Sequence, residues 1–180
     1  MRIATFNCNS VRSRLDVVLR WLADYAPDVL CLQETKVQDA EFPADAFRLA
    51  GWHVAFQGEK SYNGVAIVSK KPADEVSFGL DSEPADPARL AHARFGKIHV
   101  VNAYVPQGRE IDHAMYAYKL AWFARLRKYF EKHFTPATPL LWCGDLNVAR
   151  HPIDVTSPEN KKDHVCYHQA VRDAFEDILA

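Results

Sequence analysis

The feature that most constrains this chain is a design that occurs four times: a short apolar run stopping abruptly at an amide, an acid or a tyrosine. Pro139-Leu140-Leu141-Trp142-Cys143 has the look of a buried strand and leads into Gly144-Asp145-Leu146-Asn147. Arg2-Ile3-Ala4-Thr5-Phe6 ends at Asn7, Asp28-Val29-Leu30-Cys31-Leu32 at Gln33 and Glu34, and Ile98-His99-Val100-Val101-Asn102-Ala103 at Tyr104. Rigid strand ends are where side chains converge on a ligand or a reacting group. If strand geometry persists past Cys143, Asp145 and Asn147 face the same side. Taken alone, Gly-Asp-x-Asn reads equally well as a turn; recurrence at four strand ends favours a site.

The runs are joined by helical pattern. After Ser10, a plausible N-cap, Leu15, Val18, Leu19 and Leu22 recur at helical spacing, predicting a helix over residues 11–25. Pro27 stops it and the second run begins, a strand–helix–strand unit that requires a parallel or mixed sheet. A short helix is expected over 41–50, with Phe42, Ala46, Phe47 and Leu49 inward. Strands follow at 52–56 and 65–69, a weak one at 76–78, and a hairpin turns at Gly96-Lys97. The longest helix is expected over 113–134 with Tyr118, Trp122, Leu126, Tyr129 and Phe130 on its apolar stripe, and a last one over 168–179.

Bulk properties exclude more than they assign. A chain of 180 residues with 48% hydrophobic and 25% charged residues can bury a core as one domain spanning 1–180. A formal net charge of -1 makes no global case for nucleic acid, so any such binding needs a local basic face. No apolar run approaches the roughly 20 residues of a membrane span, and no signal peptide is read at the amino terminus. Four cysteines without a Cys-x-x-Cys predict a reduced, cytoplasmic setting. His164, Cys166 and His168 supply one half of a zinc-like spacing without a second half, so zinc is not assigned.

Thr5-Phe6-Asn7-Cys8-Asn9-Ser10, Leu32-Gln33-Glu34-Thr35-Lys36, Asn63-Gly64-Val65-Ala66, Asn102-Ala103-Tyr104-Val105-Pro106-Gln107-Gly108 and Cys143-Gly144-Asp145-Leu146-Asn147 together closely resemble the exonuclease III and AP endonuclease family of DNA-repair nucleases. The Gly-Asp-x-Asn element is shared with wider relatives such as phosphoinositide phosphatases, whereas Gln-Glu-Thr-Lys with Pro-Gln-Gly is more specific to the repair branch. The resemblance implies an α/β fold, the four-layer αββα sandwich of the endonuclease/exonuclease/phosphatase type. It also implies a magnesium-dependent enzyme, with manganese as a substitute, hydrolysing phosphodiesters of double-stranded DNA at abasic sites or 3′ ends as a monomer.

The same resemblance assigns roles. Glu34 binds the metal, assisted by Asn7 and Asn9; Asp145 orients or deprotonates the attacking water; Asn147 positions the water and lies near a second metal position. Tyr104 bonds the scissile phosphate, while Lys36, Tyr62, Asn63, Gly64, Gln107 and Arg109 lie along the DNA. The family's closing Trp-x-Tyr, Arg-x-Asp and Ser-Asp-His elements have no match here. The second sheet is therefore expected to be incomplete and the chain as given to be a poor nuclease. A phosphomonoesterase, or an inactive DNA- or partner-binding fragment, are the competing readings.

Overall fold

A computed structural model describes every residue from Met1 to Ala180. The chain divides into two compact units, Met1–Tyr104 with Ala137–Asp145, and Val105–Pro136 with Leu146–Ala180.

All the strands lie in the first unit. They are β1 (Ile3–Asn7), β2 (Val29–Gln33), β3 (His53–Gln57), β4 (Val65–Ser69), β5 (Glu75–Phe78), β6 (Leu90–Phe95), β7 (Ile98–Tyr104) and β8 (Leu140–Asp145). They form two four-stranded sheets, ordered β1-β2-β4-β3 and β5-β6-β7-β8. The β1–β2 and β7–β8 pairs are parallel and every other pair is antiparallel. The helices α1 (Val11–Tyr25) and α2 (Ala44–Leu49) belong to this unit.

The alternation of β2 explains the layering. Leu30 and Leu32 face a core shared with Val18 and Leu22 of α1 and Phe47 of α2. Val29 and Cys31 face Ala91, Ala93 and Val100 of the other sheet. A strand covered on both faces reads as a continuous apolar run, which is why Asp28–Leu32 was recognisable. Ser10 accepts a hydrogen bond from Ser13 N at 3.4 Å to start α1, and Ala26, in the left-handed region at φ 41°, ends it.

The second unit contains α3 (Ala114–His133) and α4 (Gln169–Leu179), which pack on each other and are tied by Arg127 to Asp177 at 3.9 Å. No helix of the structure is long and apolar enough to cross a membrane.

The mixed α/β class with two sheets is as expected, and the helices fall close to the anticipated spans. Two local readings are corrected. Leu49, assigned an inward position, is 90% exposed, because α2 is too short to carry its last turn back to the core. The buried stripe of α3 runs through Tyr116, Lys119, Trp122, Phe123, Leu126 and Tyr129; Tyr118 and Phe130 are only half-buried, and a lysine takes an apolar slot.

Candidate active site

Parallel pairing puts Asn7 level with Gln33 and Tyr104 level with Asp145, so the carboxyl ends of each parallel pair coincide. Immediately beyond, the backbone turns sharply: Asn9, Ser10, Glu34 and Lys36 all have positive φ. Gly144 allows the approach of β8 to β7, since a Cβ there would lie 1.9 Å from the Ala103 carbonyl oxygen, and its φ of 135° disfavours any side chain.

Four of the side chains expected to form the site meet. Asn7 Nδ2 donates to Glu34 Oε1 and to Asp145 Oδ2, each at 2.7 Å. The Tyr104 hydroxyl faces the Glu34 carboxylate. Lys36 Nζ lies 2.8 Å from the other Glu34 oxygen and donates to Asn9 Oδ1 at 2.6 Å. The Arg89 guanidinium sits 5.0 Å from the centre of the Tyr104 ring and bonds the Tyr104 carbonyl at 3.3 Å.

These contacts set the protonation states. Burial pushes the Glu34 carboxyl up, but hydrogen bonds from Asn7 and Lys36, the Lys36 charge and the Tyr104 hydroxyl outweigh it and hold the group below the usual carboxylate range. Burial, then the Glu34 charge and hydrogen bond, push Tyr104 up to about 12, so it remains a proton donor at neutral pH.

Beneath the site lies a buried polar bolt. Gln33, 1% exposed, donates to Asn102 Oδ1 at 2.6 Å and to Thr5 Oγ1 at 3.0 Å. Asn102, fully buried, donates to Leu32 O at 2.9 Å and Ala66 O at 3.0 Å. The bolt joins β7 of one sheet to β2 and β4 of the other, one residue below Glu34 and two below Tyr104. Buried amides satisfied on this scale specify a unique register.

The Tyr62-Asn63-Gly64 turn lies against the Glu34 segment. Thr35 N donates to Gly64 O at 3.2 Å and Lys36 N to Asn63 O at 3.0 Å. Gly64 has φ 95°, and a Cβ on it would lie 2.0 Å from Thr35 Oγ1. Tyr62 is 71% exposed and Asn63 bonds the Glu59 carboxylate.

Gln107, Arg109 and Asn147 belong to the second unit. Arg109 N donates to Gln107 Oε1 at 2.7 Å, and Asn147 Nδ2 to Val105 O at 2.9 Å. The strand stops at Asp145 and Asn147 has φ 47°, so strand alternation does not carry from one to the other. Sequence reasoning missed Arg89, the Gln33–Asn102 bolt and Lys119. The only available signal was a polar residue inside an otherwise apolar period.

No group of three or more His, Cys, Asp or Glu side chains is close enough to hold an ion. Two carboxylate oxygens nonetheless converge at 2.7 Å on a single atom, Asn7 Nδ2, and a hard cation asks for the same convergence of oxygens. The carboxylate donors are oxygen, the kind of ligand a hard divalent cation takes.

With this geometry, residues 4–176 match the model of the Endonuclease/Exonuclease/phosphatase family, and the chain belongs to that family. It is 31% identical over 169 residues to exodeoxyribonuclease III of Haemophilus influenzae, covering 90% of this chain and 63% of that protein. It is 28% identical to a DNA-(apurinic or apyrimidinic site) endonuclease of Dictyostelium discoideum, covering 99% of this chain and 50% of that protein. The chain thus spans half to two-thirds of these relatives' length. Among solved structures it resembles an AP endonuclease from Archaeoglobus fulgidus, with 51% identity, a TM-score of 0.97 and coverage of 99% of this chain and 70% of that one. A 3′ phosphatase from Neisseria bound to product DNA hairpin shows 38% identity, a TM-score of 0.94 and the same coverage.

Proposed function

We propose that this chain carries the catalytic centre of a divalent-metal-dependent DNA-repair nuclease, in one domain over residues 1–180, hydrolysing phosphodiesters of double-stranded DNA at abasic sites or from 3′ ends. The observation that carries this reading is the joining of Glu34 and Asp145 through one Asn7 nitrogen, at 2.7 Å each, beside the Tyr104 hydroxyl. The names of the relatives from Haemophilus, Dictyostelium and Archaeoglobus support it. Four cysteines without a disulfide support action in the cytoplasm, and the family resemblance carries the monomer.

Glu34, with Asn7, Asp145 and Asn147, would hold the ion. Magnesium, or manganese in its place, would supply charge neutralisation at the phosphoryl oxygens when bound. Asp145 accepts a proton from the attacking water as the water oxygen bonds phosphorus and the in-line ester P–O bond breaks, its electron pair leaving on the sugar oxygen. Tyr104, protonated at neutral pH, donates to a non-bridging phosphate oxygen, and Asn147 positions the water. Lys36, the Tyr62-Asn63-Gly64 turn, Gln107 and Arg109 contact the DNA backbone. An abasic nucleotide has no base to unstack, which lowers the energy of extruding it.

A second reading, a DNA 3′ phosphatase, is favoured by the Neisseria enzyme's name. The test is hydrolysis of an abasic duplex, a recessed 3′ end, a 3′-phosphorylated nick and an inositol phosphate, with magnesium and with chelator. Chelator-sensitive cleavage of the first two supports the nuclease. Phosphate release from the nick alone selects the phosphatase, and turnover of inositol phosphate with none of DNA overturns both.

A further inference from the structure

Lys119 is fully buried on α3, in a stripe otherwise made of aromatic and apolar side chains. Its Nζ donates to Asn147 O at 2.6 Å, Val165 O at 2.8 Å and Gln107 O at 3.1 Å, with Cys166 Sγ at 3.9 Å. Three acceptors match the three donors of an ammonium, a pattern the planar fork of arginine does not reproduce.

The carbonyls come from three separate segments: the loop after β7, the segment after β8 and the segment before α4. Two of them belong to residues assigned above to DNA and water. Neither lies in a helix or strand ladder. The Asn147 backbone sits in the left-handed region at φ 47°, a conformation that persists only when its surroundings over-determine it. At Gly108, with φ 102°, a Cβ would lie 3.3 Å from Lys119 Cδ, so the Gln107 loop rests on the lysine stem.

We propose that Lys119 is a positioning residue: by gathering the carbonyls of Gln107, Asn147 and Val165 on one ammonium, it sets the backbone at 107 and 147 and hence where those two side chains are delivered. This rests on the roles proposed above for Gln107 and Asn147. The plain alternative is a lysine that only stabilises the second unit.

The test uses Lys119→Met, which keeps the stem and removes the donors, and Lys119→Ala, whose missing atoms correspond to n-propylammonium. Three readings are taken: thermal melting, the side-chain amide signals of Asn147 and Gln107 in 15N–1H spectra, and kcat and KM on abasic duplex DNA with magnesium. Positioning predicts shifted Asn147 and Gln107 amide signals in folded Lys119→Met and a fall in kcat on the order of tenfold to a hundredfold. It also predicts recovery of signals and kcat together when propylammonium is added to Lys119→Ala. A folded Lys119→Met with wild-type amide signals overturns the proposal. So does propylammonium that restores melting but not the amide signals, and so does failure of both variants to fold with the amine present, since each leaves only a stabilising role. If neither the wild-type protein nor a form extended to the length of its relatives cleaves DNA, the nuclease reading falls, and the amide signals still decide for Lys119.

Discussion

The two compact units hold their functional groups by different means. In the first, Asn7, Glu34, Tyr104 and Asp145 are delivered by four strand ends whose register is bolted by Gln33 and Asn102. In the second, Gln107 and Asn147 sit on irregular backbone gathered by a single ammonium. A ladder spreads its constraint over many hydrogen bonds, so one lost bond shifts little. An ammonium concentrates it, so one substitution reaches several segments at once.

The largest effect that can test this contrast is on chemistry. In a form extended to the length of the relatives, Asp145→Asn keeps the shape but removes the proposed proton acceptor, and turnover of abasic duplex should fall by roughly a hundredfold to ten-thousandfold with DNA affinity near wild type. Single-turnover kinetics with filter binding would measure it. Lost affinity with intact turnover would move Asp145 from the water to the DNA.

Next comes the bolt. Asn102→Leu leaves Gln33 and the carbonyls of Leu32 and Ala66 short of a partner, at about 1–3 kcal/mol for each such group. Chemical denaturation should show a loss of about 3 kcal/mol or more. A near-neutral result would mean the sheets are keyed by their apolar faces alone.

Smaller is Gly64→Ala, where the new methyl meets Thr35 Oγ1 and the left-handed φ is strained, expected to lower stability by about 1–3 kcal/mol. An unchanged melt would show that the 62–64 turn yields freely and does not brace residues 34–36.

The smallest effect is a pH dependence. The folded Glu34 carboxyl lies below its unfolded range, so its contribution is present above the unfolded value and is lost as pH falls through the folded one. Stability should therefore decline on acidification below the usual carboxylate range, and Lys36→Met should flatten that decline by removing one of the groups that lower Glu34. Melts of both proteins across acid pH would show it; identical profiles would leave Asn7 and Tyr104 as the groups that matter.

How much of this was legible in the sequence follows from the same contrast. The strand ends could be read because a run buried on both faces, such as Val29–Leu32, is bounded by a change of chemistry at Gln33 and Glu34. The helix spans followed from period and caps. Lys119 was invisible because a charged residue on a helix is ordinarily solvated; only its place between Tyr116 and Trp122 marks it. Gln33 and Asn102 looked like motif letters, since a hydrogen bond between residues 69 apart leaves no local trace. Arg89 carries no local signal, since its stacking on Tyr104 depends on β6 and β7 being neighbours.

The bond from Asn7 to Asp145 spans 138 residues of chain. Loop closure on that scale is slow relative to the local β1–α1–β2 unit, and β8 must also pair in parallel with β7 across the intervening α3 segment. Glu34 can therefore meet Asn7 and Lys36 early, while Asp145 arrives only as the last of the eight strands docks. In refolding from denaturant, secondary structure and the burial of β2 should recover ahead of the Asn7–Asp145 contact, and on the mechanism proposed above hydrolysis has no partly assembled form: a chain whose final strand is still adrift has a carboxylate and an amide in place, and lacks the proposed acceptor for the water's proton.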